Sequence, residues 1–235
     1  MDATTPATER LRGAARAFAF PEAAVATLVR YVEAVLAENE HVNLTGAKTL
    51  DAALDVLALD SLPVVSAWPS DDVRGRGAPR AAVDLGTGNG LPGVAVALAW
   101  PTCRVVLVER RAKKADAVLR CLAATGIGNA ETIDCDGREL LARRPALRSA
   151  VDLVTVRAVG DLAPTTKEAA PWLAPGGRIV HWKPGNLDPA ERAAGRRAAE
   201  SLGLVEIPDV EFRIGDAASS RRLVIYEKPA PGRGR

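Results

Sequence analysis

The stretch AVDLGTGNGLPG opens with a short apolar run that ends in Asp84 and Leu85 and then sets glycines at 86, 88, 90 and 93. Glycines at alternate positions let a backbone turn tightly and present its N–H groups to a ligand with no side chain in the way. The dinucleotide fingerprint G-x-G-x-x-G needs glycine at position 91, where Leu91 stands instead. Glu109 ends the next apolar run, nineteen residues past Gly90. A carboxylate at a strand tip accepts hydrogen bonds from the two hydroxyls of a ribose. Asp84 adds negative charge beside the turn, which favours a cation over a pyrophosphate. A ribose, a sulfonium, an ammonium and no phosphate describe S-adenosylmethionine. The predicted cofactor contacts on the turn are Asp84, Gly86, Thr87, Gly88, Asn89, Gly90 and Leu91, with Glu109 opposite.

Elements of a particular kind must hold these residues. RAAVDL, CRVVLVER, AETIDC, SAVDLVTVRAV and GRIVHWKP read as strands, and LPGVAVALAW, RAKKADAVLRCLAATG, LAPTTKEAAPWLAPGG and DPAERAAGRRAAESLG as the helices or helix-and-turn segments between them. Alternation of this kind calls for an α/β fold, a mostly parallel sheet with helices on both faces. The last two strands, about 204–212 and 221–227, have no helix between them and should pair antiparallel at an edge. Ahead of the sheet, residues 1–7 read as disordered. A helix with Leu28, Tyr31, Val32, Val35 and Leu36 on one face follows, then a second over about 50–62, then the loop SAWPSDDVRGRGAPR. The expected division is a helical extension over 1–65 and a Rossmann-like domain over 66–235.

Composition narrows the function. The chain has 235 residues and a net charge of +2. No window of about 18 apolar residues suggests a membrane span, and the polar N-terminus is unlike a secretory signal. Three cysteines without metal-like spacing read as reduced thiols in a cytoplasmic protein. No metal is expected.

VDLGTGNGLPGVAVALAWP resembles the first motif of the RsmG (glucose-inhibited division protein B) family, the bacterial 16S ribosomal RNA guanine-N7 methyltransferases; the LPG after the glycines is its distinguishing part. NLTGAKTL with LDSL, VERRAKKADAVL, VRAVGDL, HWKPG and RRLVIYEK are similar to further family segments, in the same order. The resemblance implies a class I S-adenosylmethionine-dependent methyltransferase with 16S rRNA in the small ribosomal subunit as its partner and guanine 527 as the type of target. It also implies a role for Arg157 in cofactor and substrate positioning, for Lys183 in substrate positioning, and for Gly137 and Arg138 in cofactor binding. Three positions depart from the family pattern: Leu57 stands where a histidine is usual, an ungapped reading sets Asp136-Gly137-Arg138 where Arg-x-Glu is usual while a shifted one makes Arg138 the family arginine, and Pro184 separates Lys183 from Gly185.

Guanine N7 has a free lone pair, so its methylation needs no general base; alignment suffices. Arginine suits a phosphate or a guanine edge, and no N/D-P-P-Y/F/W segment of an amino-group methyltransferase follows the fourth strand. His181, inside the fifth strand, reads as packed rather than catalytic. Cations at 74, 76 and 80, at 110, 111, 113 and 114, and at 138, 143, 144 and 148 are candidates for an RNA-facing rim. The PGRGR tail reads as a flexible end. Nothing in the sequence suggests an obligate dimer, and a monomer is expected. Two other readings share these features: a methyltransferase acting on a small molecule, and a non-catalytic RNA-binding assembly factor.

Overall fold

The strands alternate between two cores. In β2 (Arg104–Val108), Val105 and Leu107 face one apolar cluster and Val106 and Val108 the other. Burial on both faces is what near-continuous Val and Leu runs require, and it places these strands in the middle of a parallel sheet. The computed structural model describes residues 6–68, 77–213 and 220–230. Its seven strands are ordered β3-β2-β1-β4-β5-β7-β6. They are β1 (Ala81–Leu85), β2, β3 (Ala130–Ile133), β4 (Val151–Arg157), β5 (Leu173–Pro184), β6 (Val205–Arg213) and β7 (Ser220–Glu227). The first five pair in parallel, and β7 lies antiparallel between β5 and β6. This is a Rossmann-like sheet, mostly parallel with an antiparallel edge. Its order reverses between β1 and β4, so the crevice for a ligand opens at the carboxyl ends of those strands.

The N-terminal helices α1 (Pro6–Ala17) and α2 (Glu22–Glu38) cover one face together with α4 (Gly93–Ala99) and α5 (Ala112–Thr125). Leu11, Leu28, Tyr31, Leu54 and Leu57 share a continuous core with Leu107, Val118 and Leu122. Helices α6 (Leu140–Arg143), α7 (Leu162–Ala169) and α8 (Pro189–Ser201) serve the other face, where Leu140, Leu162 and Ala199 fill the second core. Gly126 closes α5 in a left-handed C-cap, φ 69°.

Three expectations change. Pro6 and Ala7 belong to α1, whose buried stripe is only Ala7, Leu11 and Ala15, a weak apolar signal; residues 1–5 lie outside the described residues. The single helix over 50–62 is instead a short α3 (Leu50–Ala53), capped by the Thr49 hydroxyl, running into a π-helical turn, Leu54–Leu59. Strand β5 begins at Leu173, inside the segment read as a turn. The expected loop after Trp68 and the PGRGR tail fall partly or wholly outside the described residues. Cys103, Cys121 and Cys135 are free and buried, and burial raises the Cys103 and Cys121 thiols to about 12, so neither is a thiolate at neutral pH.

Candidate active site

The turn after β1 is built around a carboxylate that faces inward. Asp84 is 1% exposed. It accepts hydrogen bonds from the Thr155 hydroxyl (2.6 Å), the Thr87 hydroxyl and the Gly93 N–H (3.1 Å). Burial pushes its pKa up, against the pull of those donors. Asp84 therefore ties the turn to β4 and to the start of α4, and it is not among the residues that line the cleft. Thr87, Gly90 and Leu91 also sit behind the turn, and Leu91 is buried. The physical reason is strand periodicity: at the end of β1 the Asp84 side chain points into the core beneath α4.

Gly86, Gly88 and the buried Asn89 line a cleft of about 920 Å³ with Glu109, Gly137, Arg138 and Arg157. Its floor is the carboxyl edge of the sheet. Glu109 is fixed by two backbone donors, Gly88 N–H at 3.2 Å and Arg111 N–H at 2.9 Å. Gly88 has φ +62°, and a Cβ built there would meet nothing closer than the Gly86 carbonyl at 3.9 Å. The space in front of it belongs to the cleft. A carboxylate held at a strand tip, an open glycine beside it and no anion-binding lysine on the turn fit a ribose-bearing cation, and so fit S-adenosylmethionine.

The α2 helix reaches the turn through a side chain that the sequence presented only as part of an apolar face. The Tyr31 hydroxyl donates to the Asn89 carbonyl at 2.9 Å and packs against Gly90. The third strand tip adds Asp136, whose carboxylate caps the Arg138 N–H and pairs with the Arg138 guanidinium at 2.7 and 2.9 Å. That pairing lowers the Asp136 pKa to about 2. Glu168 on α7 comes close behind Gly137, where a Cβ would lie 2.0 Å from its Oε1. Burial, then the Asp136 charge, raise the Glu168 pKa. Neither Tyr31 nor Glu168 had a sequence signal as a site residue.

Arg157, the last residue of β4, reaches Asp60 Oδ2 at 3.0 Å and Asn89 Oδ1 at 3.5 Å. Lys183 does not line the cleft. Its ammonium bonds Glu191 (2.6 Å) and the Gly160 carbonyl (2.7 Å), which braces the β4–α7 loop against α8. Glu191 also accepts the Leu162 N–H (3.2 Å), so Lys183 takes part in a loop-to-helix contact outside the cleft lining. Arg110, Arg111, Lys114 and Lys167 line the cleft and form no salt bridge among the described residues. Arg80 is at the amino end of β1, Arg148 precedes β4, and Arg143 and Arg144 face Asp134, Glu139 and Glu131. None of these four belongs to the cleft lining. Arg74 and Arg76 lie outside the described residues.

The family profile described as GidB, rRNA small subunit methyltransferase G, matches residues 24–213. The chain belongs to this family. A ribosomal RNA small subunit methyltransferase G of Chloroflexus aggregans is 34% identical over 207 residues, 86% of this chain and 81% of the relative. Another from Deinococcus deserti is 35% identical over 192 residues, 81% and 75% of the two chains. Among solved structures, the fold is similar to geranyl diphosphate C-methyltransferase from Streptomyces coelicolor A3(2), with a TM-score of 0.51, 17% identity, and coverage of 63% of this chain and 73% of that one. It is also similar to the antibiotic-resistance methyltransferase Kmr, with a TM-score of 0.51, 18% identity, and coverage of 65% and 88%. This family member is an rRNA methyltransferase, and its methyl donor is S-adenosylmethionine.

His181 takes no part in the cleft of this family member. It is fully buried, its ring nitrogens contact the Thr165 and Thr166 hydroxyls at 3.4 and 3.2 Å, and it packs edge-on to Tyr226. Burial, helped by the Lys183 charge, lowers its pKa to about 3. An unfolded chain protonates histidine near ~6.5. Between those values the unfolded state binds the extra proton, so stability falls as pH is lowered. Unfolding free energy from urea titrations is expected to drop by about 2 kcal/mol from this residue between pH 7 and pH 5. A His181→Gln variant should lack that part of the slope; equal slopes in the two proteins would remove the assignment.

Proposed function

We propose that the protein transfers the methyl group of S-adenosylmethionine to N7 of a guanine in 16S ribosomal RNA, of the guanine-527 type, acting as a monomer in the cytoplasm. The observation that carries this reading is one cleft lined by Glu109, Gly88 and Arg157 together with the cations Arg110, Arg111, Lys114 and Lys167. Residues 66–235 form the methyltransferase domain, and residues 1–65 act as a cap that steadies the glycine turn through Tyr31.

When bound, S-adenosylmethionine supplies an electrophilic methyl on a sulfonium. Glu109 holds the ribose hydroxyls. Gly86, Gly88 and Asn89 line the path beside it, and Gly137 and Arg138 close the third-strand side. Asp84, Thr87, Gly90 and Leu91 act from behind by fixing the shape of the turn. Arg157 offers a planar pair of N–H donors, which suits the O6 edge of a guanine or a neighbouring phosphate. The acceptor atom N7 needs no proton removed, so the site has to orient the base rather than ionise it. In a closed A-form helix N7 lies in a groove too deep and narrow for side chains, so the target stands in a loop or an opened strand.

Arg110, Lys114 and Lys167 meet the phosphates around that base. Charge removal at Arg110 and Lys114 is expected to weaken binding to small subunits, and to lower the slope of log K against log salt by about 1 for each phosphate no longer neutralised. Affinity for S-adenosylmethionine should not move. Filter binding at several salt concentrations reads the slope, and a variant with the wild-type slope would place the RNA elsewhere on the surface.

A further inference from the structure

Asp60 comes directly after the π-helical turn Leu54–Leu59. Such turns are rare and gather at functional sites, because one added residue in the turn re-aims the side chains beyond it. The main chain here is gripped from two sides. The Trp182 indole N–H donates to the Asp60 carbonyl at 2.8 Å, and the Ser61 hydroxyl donates to the Leu57 carbonyl at 2.6 Å. The carboxylate so aimed takes Arg157 at 3.0 Å. The other arm of the guanidinium is 3.5 Å from Asn89 Oδ1, at the outer limit of a hydrogen bond, so Asp60 makes the firm contact. Asn89 spends the same oxygen on the Leu91 N–H (3.1 Å) and sends its amide to the Leu44 carbonyl (3.4 Å). One chain of contacts thus joins the segments at 44 and 60, the glycine turn and the tip of β4.

Asp60 is poorly matched to a purely structural task. Its second oxygen, Oδ1, is buried and has no hydrogen-bond partner among the described residues. Burial raises its pKa in spite of two nearby guanidinium groups, Arg157 and Arg221. Replacing a whole buried ion pair by apolar groups of similar volume is often neutral, so the pair by itself is weak evidence of a stabilising task, although removing one partner alone leaves the other charge uncompensated.

We propose that Asp60 is a positioning residue for methyl transfer: it touches neither substrate nor cofactor, and it fixes the Arg157 guanidinium that orients the target base. The proposal rests on the reading of Arg157 given above. Three variants test it, Asp60→Asn, Arg157→Ala and the double, each assayed for methyl transfer to small ribosomal subunits, cofactor affinity and thermal midpoint. Misplacement of an orienting group costs on the order of 10²-fold in turnover. Assayed well below its melting transition, Asp60→Asn is expected to lower kcat by about that factor with KM for subunits and cofactor affinity unchanged, while the unpaired, part-buried Arg157 lowers the thermal midpoint. The double variant should be no slower than Arg157→Ala, because two residues acting through one contact do not add. Multiplying effects, a change confined to KM, a wild-type kcat in Asp60→Asn, or a rate loss that only tracks a falling thermal midpoint would each overturn it. If Arg157→Ala itself turns over normally, the assignment of Arg157 fails as well; if only Asp60→Asn is normal, this inference fails alone.

Discussion

Gly88→Asp is expected to fold as the wild type does and to lose measurable binding of S-adenosylmethionine. Folding is spared because the new Cβ enters open space. The φ of +62° also suits aspartate better than most residues, since Asn and Asp visit the left-handed region most readily after glycine. Binding is lost for two reasons that act together. The side chain stands in the cleft where the cofactor must lie. It also sets a second carboxylate beside Glu109, whose Oε2 is already 3.2 Å from the backbone N–H of residue 88. Overpacking costs about 1–3 kcal/mol, and like charges near a protein surface several more at close range. Affinity should therefore fall by on the order of 10²-fold or more. Titration calorimetry with a parallel thermal melt reads both halves of the expectation, and a near-wild-type Kd would mean that the cofactor does not approach this turn.

Gly90→Ala acts on stability instead. At φ +90° a Cβ would lie 1.9 Å from the Tyr31 hydroxyl oxygen and 2.9 Å from its ring carbon Cζ. Tyr31 is fully buried and its hydroxyl holds the Asn89 carbonyl, so it cannot yield cheaply. Left-handed strain of roughly 1–2 kcal/mol, overpacking of ~1–3 kcal/mol and the displaced hydrogen bond add to about 4 kcal/mol. For a chain of this size that lowers the melting temperature by roughly 10 °C. The clash is with the hydroxyl above all, so Tyr31→Phe should partly rescue Gly90→Ala. Alone, Tyr31→Phe should cost about 1–2 kcal/mol, because it leaves a buried carbonyl unpaired. Calorimetric melts of the two singles and the double test this; strict additivity would show that the helix and the turn are not in contact.

These two glycines also show where the sequence could be read and where it could not. Alternating glycines after an apolar run marked the turn, and the apolar runs at 81–85, 104–108 and 151–157 marked the central strands, because burial on both faces leaves a continuous Val and Leu signature. The antiparallel β7 followed from the missing crossover helix. The direction of a side chain at a strand tip is not written in residue types. Asp84 and Glu109 both end a strand beside the same turn, yet one is locked under α4 and the other faces the cleft. The resemblance pointed to Lys183 as a substrate contact, while its ion pair with Glu191 on α8, outside every segment that pointed to the site, had no signal in the sequence. Tyr31 lay hidden for a related reason: it belongs to an apolar helical stretch and meets the turn only through a residue 58 positions away. Asp60 stood within LDSL, similar to a family segment, but its contact with Arg157, 97 positions on, is not written there. The π-helical turn that aims Asp60 has no compositional signal, because its residues, LDVLAL, would serve equally in an α-helix.

The central claim is methyl transfer to one guanine through this cleft. The most direct measurement incubates unmodified small ribosomal subunits with the protein and S-adenosylmethionine labelled in the methyl group, then maps the modified base, with Gly88→Asp alongside. The account predicts 7-methylguanine at a single position with the wild type and none with the variant. Cofactor binding without transfer to the RNA, or a methyl on any other atom, would contradict it.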